Sequence, residues 1–205
     1  MQVTDFRSSR ASQAYRLQEH SDRTRTEIAA HICNHFRLSH GAHLDSLMPR
    51  LFTVSDGSSV LCAFGLREAA RGPLYMERYL DQPVEAAIAG LTGEPVRRDA
   101  IVEVGNLVAE PGGARVLIIL LTHHLHRLGI EWVVFTAVAT LRAAFRRLGL
   151  QPFVLAAADP GRLPDAERDS WGGYFAARPI VMGGSVPAGI RALAGSASPV
   201  ELHRA

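Results

Sequence analysis

The chain has 205 residues, 47% of them hydrophobic, with 22 Lys and Arg against 20 Asp and Glu. That length buries one sizeable core, read as a single domain over residues 1–195 with a mobile tail over 196–205. A formal charge of +2 excludes bulk nucleic-acid binding, which draws on a strong basic excess.

Cys33 and Cys62 are too few for a disulfide framework and sit in apolar settings, HICNHF and VLCAFG. The N-terminus, MQVTDFRSSR, has no apolar signal region. Val116 to Leu121 is the longest aliphatic run, against the ~20 residues of a membrane-spanning helix. These features point to a soluble, cytoplasmic protein. The positive charges are all Arg, which suits bidentate contact with carboxylate or phosphate, although a coding bias gives the same enrichment.

Residues 1–20 are polar, with one short strand around Ala14–Leu17. Thr24 and Glu27 have the spacing of a capping box, and Ile28, Ile32 and Phe36 follow at helical intervals, which predicts a helix over 25–37. His31 and His35 lie four apart on it, but no third ligand accompanies them and no metal is expected. Leu51–Val54 and Ser59–Leu66 read as strands joined at Asp56-Gly57, a hairpin signal. In LYMERYLDQPVEAAIAG, Asp81 is placed as an N-cap, Pro83 in the first turn and Gly90 at the stop of a helix. Glu77 and Arg78, set among bulky residues, read either as an ion pair or as substrate contacts.

Ile101 to Ala109 is nearly continuous apolar sequence, as in a strand buried on both faces. Glu103 inside it must be paired, neutral or functional, because an unpaired buried charge costs several kcal/mol. Strict alternation sets Glu103 and Asn106 on opposite faces; a bulge at Gly105 brings them onto one. Glu110-Pro111-Gly112-Gly113-Ala114 then opens a helix whose free N–H groups suit a phosphate or an oxyanion. Leu117, Leu121, Leu125 and Leu128 form its buried stripe, Gly129 ends it, and His123, His124 and His126 are read as solvated partners of its dipole.

Glu131–Thr136 is a second strand, so the unit is strand, helix, strand, with a parallel pair. A helix capped by Thr140 follows, with Leu141, Ala144, Phe145 and Leu148 inward. Arg142, Arg146 and Arg147 face outward, either as a solvated face or as a docking patch. Pro152–Ala157 and Pro179–Gly184 are further strands, and 187–194 a short helix. Ser170 to Phe175, SWGGYF, reads as a lid or pocket wall.

YMERYLDQPVE, IVEVGNLVA, WVVFTAVATLRAAFRRLGL and WGGYFAARP, in that order, resemble the thermostable hemolysin family from about Thr26 to Gly184. That family is similar to acyl-homoserine-lactone synthases and to Gcn5-related N-acyltransferases. The resemblance implies an α/β fold with a mixed sheet splayed between its fourth strand, Ile101–Ala109, and its fifth, Trp132–Thr136. It places Glu103 as the catalytic group and Asn106 where the lactone synthases carry Arg. It implies an acyl thioester, coenzyme A or acyl carrier protein, held by Leu107, Val108, Ala109, Gly112, Gly113, Ala114 and Arg115. The loop EPGGAR keeps part of the acetyltransferase pattern, and the outward Arg142, Arg146 and Arg147 suit an acidic carrier protein. Glu77, Arg78, Phe135, Thr136, Trp171 and Tyr174 are then candidate contacts for a small amine acceptor. The competing expectations are a membrane-damaging cytolysin and a silent domain that binds acyl chains or a carrier protein.

Overall fold

The computed structural model describes residues 3–8, 14–195 and 200–201. The strands are β1 (Val3–Ser8), β2 (Ala14–His20), β3 (Arg50–Ser55), β4 (Val60–Glu68), β5 (Ile101–Ala109), β6 (Trp132–Ala137), β7 (Phe153–Ala157), β8 (Ile180–Ser185) and β9 (Val200–Glu201). They form one mixed α/β sheet in the order β7-β8-β6-β5-β4-β3-β2-β1-β9. The β5–β6 pair is parallel and the other described pairs are antiparallel. The expected fourth and fifth strands are thus β5 and β6, their count shifted by β1. The sequence reading missed β1, whose polar segment shows no core-facing alternation. Of the tail beyond Gly195, Val200–Glu201 pairs with β1 and the rest lies outside the described residues.

The helices are α1 (Asp22–His40), α2 (Val84–Thr92), α3 (Gly113–Arg127), α4 (Ala139–Arg147), α5 (Asp165–Ser170) and α6 (Val186–Gly195). One core joins α3, α4 and α6 to Phe52, Phe64, Val102, Val104 and Phe135. On the other face, Ile32 and Phe36 of α1 pack with Leu51, Ala63 and Val108. Val84 and Ile88 of α2 pack there with Ile101, Val134 and Val181. A strand buried from both sides has no polar face to show, which is why β5 reads as a continuous apolar run.

Several local expectations change. The helix α1 begins at Asp22, a turn before the supposed box; Ser21 makes no side-chain cap, and Thr24 Oγ1 instead donates to the Ser21 carbonyl. Pro83, not Asp81, precedes α2, and Asp81 pairs with Arg162 instead. Gly93, in the left-handed region, ends α2, so Gly90 is interior. Val138 rather than Thr140 precedes α4. Leu128 lies past the end of α3 and is 46% exposed. His124 is buried against Phe52, with Nε2 lacking a partner and burial pushing its pKa down to about 4. It therefore packs as a neutral ring, not as a solvated dipole partner.

The hairpin forms as read. Gly57 takes φ 91°, and Asp56 Oδ1 accepts from the Ser58 and Ser59 N–H groups at 3.0 and 2.9 Å. The Ser58 hydroxyl, together with those two backbone bonds, holds its carboxyl down to about 2.

The sheet opens at its parallel pair. β5 and β6 pair from Ile101–Trp132 to Val104–Phe135 and then part. Beyond that point β5 continues along β4, and β6 along β8. Between the Gly65–Gly105 and Ala63–Val108 pairs, β5 spends one residue more than β4. A bulge tightens local twist and bends its strand, so it accounts for the parting of the pair.

Candidate active site

The bulge lies one residue past its expected place. Asn106 and Leu107 together face Phe64, and Asn106 takes φ 52°, a conformation Asn tolerates better than most residues. The shift turns Asn106 toward the α1 side, where its Oδ1 accepts from the Met48 N–H at 2.7 Å. Met48 belongs to a strap that runs from α1 to β3, and Arg25 donates to the Met48 and Pro49 carbonyls at 2.9 Å. A side chain at Gly65 or at Gly105 would collide with Met48, so the two glycines let the strap close over β4 and β5. Asn106 thus serves first as the clasp of that strap.

Glu103 is 1% exposed. Its Oε2 accepts from the Tyr75 N–H at 2.8 Å and its Oε1 from the Met76 N–H at 3.0 Å. Burial raises its pKa, and the two backbone bonds only partly offset this. The turn that supplies those donors, Tyr75–Tyr79, is built by Glu77. Glu77 accepts from the Leu74 and Val84 N–H groups at 2.7 and 3.0 Å and pairs with Arg98 at 2.7 Å. Arg98 also binds Glu85 and the Ala69 and Gly72 carbonyls. The Arg98 guanidinium holds the Glu77 carboxyl down to about 2. Glu77 and Arg78 therefore do not pair with each other: Glu77 shapes the turn, and Arg78 pairs with Glu167 and lies 5.0 Å from the centre of the Tyr75 ring.

A cleft of about 1610 Å³ runs from this point through the splay to the far side of the sheet. On the α1 side it is walled by Phe36, His40, Met48, Tyr75, Trp171 and Tyr174; on the other, by Leu117, Leu121, Ala144 and Ala192. Trp171 Nε1 donates to the Tyr75 hydroxyl at 2.9 Å, and its ring lies 4.9 Å from that of Tyr174. Burial pushes Tyr174 up to about 12, while a bond with the Thr136 side chain opposes the shift. The SWGGYF segment is stitched to the strap, since Gly173 N–H donates to the His40 carbonyl at 2.7 Å and His43 N–H to that of Ser170 at 2.6 Å.

Of the candidates, Glu103, Asn106, Leu107, Ala109, Arg78, Phe135, Thr136, Trp171 and Tyr174 line this cleft. Gly112, Ala114, Arg115 and Arg147 do so at its rims. Val108, Gly113, Glu77, Arg142 and Arg146 do not. Val108 is buried beside α1, and Gly113 brings α3 close to β4, where a Cβ would meet the Leu61 carbonyl at 2.5 Å. Arg142, expected outward, is half-buried and donates to the Ala137 carbonyl at 3.0 Å. Sequence reasoning missed Tyr75 and Met76, whose contribution is backbone N–H, and Arg67, whose nearness to Glu103 comes from strand pairing.

A family model for thermostable hemolysins matches residues 18–190. The chain belongs to that family. No curated protein matches it in sequence. Among solved structures it resembles FeeM, an N-acyl amino acid synthase from uncultured soil microbes (12% identity, TM-score 0.55, 84% of this chain and 92% of that one). It also resembles the AHL synthase LasI (10% identity, TM-score 0.54, 84% and 90%). A third match is BjaI, a CoA-dependent acyl-homoserine lactone synthase solved with SAM and isopentyl-CoA (17% identity, TM-score 0.50, 87% and 85%). At such identities the likeness is one of fold: this family member shares the Gcn5-related sheet of the lactone synthases. Among the described residues no helix is long and apolar enough to cross a membrane.

Proposed function

We propose that the chain is an N-acyltransferase that moves an acyl group from an acyl thioester to a small amine. The observation that carries this reading is the position of Glu103, a buried carboxyl with a raised pKa on the wall of a cleft that passes through the splayed sheet. A base tuned toward neutral pH suits removal of a proton from an ammonium group.

In this reading Glu103 takes that proton, directly or through one water. The amine nitrogen then attacks the thioester carbonyl carbon. The ladder broken at Asn106 and Leu107 supplies backbone N–H for the oxyanion, as a bulge leaves its extra residue unpaired. Collapse forms the amide, breaks the C–S bond and releases the thiolate, which takes up a proton. The apolar branch between α3, α4 and α6 suits the acyl chain. Gly112, Ala114 and Arg115, at the opening of a 15-residue helix, suit the donor's phosphates.

Coenzyme A, which BjaI binds, and an acidic acyl carrier protein are both compatible donors. The carrier gains support from charge: α3, α4 and α6 contain no Asp or Glu, and Arg146 and Arg147 are exposed.

Incubation with acyl-coenzyme A or acyl-carrier thioesters and a panel of amines is expected to release thiol and yield new amide masses. Glu103→Gln is expected to fold and to lose turnover by at least ~100-fold, the scale of a general base. Unchanged acyl transfer by that variant overturns the assignment. The family's name supports a second reading, direct lysis. Liposome leakage by pure protein without any acyl donor favours it, whereas leakage that requires donor and amine points to a surface-active product. Donor binding with no product mass favours a silent binding domain.

A further inference from the structure

Three guanidinium groups near Glu103 and its turn are held by carboxylates. Arg78 is paired with Glu167, Arg98 with Glu77 and Glu85, and Arg50 with Glu19 and Glu68. Arg67 is half-buried and lines the cleft. Its Nη1 makes a long, exposed contact, 3.4 Å, with the Pro73 carbonyl, and among the described residues no carboxylate closes a direct ion pair with it, Glu103 attracting it without contact. A guanidinium that faces the cleft beside the Glu103 carboxyl, with most of its donors unspent, is open to an anionic ligand.

Arg67 stands directly opposite Glu103 in the antiparallel β4–β5 ladder. Opposite residues project from the same face with their Cα atoms ~4.5–5.5 Å apart. The two side chains thus present a cation and a carboxyl next to each other on one wall of the cleft. The start of α3, where a donor phosphate would sit, lies beyond Ala109, about 20 Å further along the strand at ~3.3 Å per residue. An anion on Arg67 therefore belongs to the acceptor.

We infer that Arg67 receives the acceptor's carboxylate, and that the acceptor is an amino acid whose amine lies beside Glu103. The planar guanidinium fork matches a carboxylate in two parallel hydrogen bonds. Tyr75 and Trp171, which wall the same side of the cleft, would face the remainder of the molecule. This inference rests on the acyl-transfer reading and sharpens it to N-acylation of amino acids.

The test compares the proteinogenic amino acids with their own carboxamides, which keep the amine and lose the negative charge. With acyl-coenzyme A or acyl-carrier thioester as donor, the native protein is expected to favour each accepted acid over its amide. The expected ratio in kcat/KM is at least about tenfold, the scale of a charge-assisted bidentate contact. Arg67→Met is expected to bring that ratio close to one, chiefly through KM for the acid. Arg67→Lys, which keeps the charge without the fork, falls between. Circular dichroism establishes that both variants fold. Amides used as well as acids by the native protein, or a preference that survives in folded Arg67→Met, overturns the inference.

If no amine supports thiol release, the acyl-transfer reading fails and binding alone decides the role of Arg67. An amino acid that raises the melting temperature of the native protein, but not that of Arg67→Met, while its amide does neither, supports the site. Equal shifts from acid and amide, persistence in the variant, or no shift from any amino acid overturns it.

Discussion

Glu103 and Glu77 show the same side-chain type driven in opposite directions by its surroundings. For Glu103, burial dominates and the folded pKa stands above its ordinary value of 4.5. In the window above 4.5 the native state holds a proton that the unfolded chain has lost, so this group lowers stability as pH rises through that window. Glu77 is held down to about 2 by Arg98, so its contribution is present above 4.5 and is lost as pH falls toward 2. Urea titrations at a series of pH values are expected to show Glu103→Gln flattening the decline above 4.5, and Glu77→Gln removing the loss on the acid side. At Asn106 two effects combine, the left-handed backbone and the bond to the Met48 N–H. Asn106→Gly keeps the first and loses the second, while Asn106→Ala loses the second and strains the first. The alanine variant is expected to be the less stable by ~1 kcal/mol, read from denaturation midpoints.

At the scale of elements, the bulged strand, the turn beneath it and the strap above it form one assembly. The turn presents two N–H groups to Glu103 because Glu77 and Arg98 brace it, and the strap is clasped by Asn106 and seated over Gly65 and Gly105. The two glycines are not equivalent. A Cβ at Gly105 would collide with Met48 Cε, the free end of a flexible chain, whereas one at Gly65 would collide with Met48 Cβ, fixed to the strap itself. Gly65→Ala is expected to cost ~1–3 kcal/mol and Gly105→Ala less, measured by thermal or denaturant unfolding. Adding Met48→Ala is expected to relieve the clash in the Gly105→Ala background and not in that of Gly65→Ala, because the Cβ remains.

Across the whole molecule, the sheet works as a partition with a gap. Helices on both faces bury it, and the parting of β5 and β6 joins an aromatic wall on the α1 side to an apolar branch among α3, α4 and α6. If that branch takes the acyl chain, filling it shortens the chain accepted. Ala192→Phe, on the outer wall of the branch and half-buried, is expected to move the kcat/KM optimum toward shorter acyl donors while leaving the short ones usable. A chain-length profile that does not move in the folded variant counts against this branch as the acyl site.

The sequence by itself determined the hairpin at Asp56-Gly57, the strand–helix–strand unit and the buried strand around Glu103, because these follow from short-range turn chemistry and apolar periodicity. Its family motifs matched those of the thermostable hemolysins over most of the chain. It located a bulge within one residue of its place, since a glycine and two polar residues in an apolar run break the expected pattern. Helix ends went astray at Thr24, Gly90 and Thr140 because several residues near each end can terminate a helix and packing selects among them. Only the tertiary structure decided that Glu77 belongs to Arg98, that Asn106 clasps Met48 and that Arg67 stands opposite Glu103. Those relations join residues 21, 58 and 36 positions apart, and strand pairing and turn docking create them. The bulge in β5 thus reads from sequence as a local irregularity, and from structure as the bend that opens the sheet and sets Glu103 at the gap.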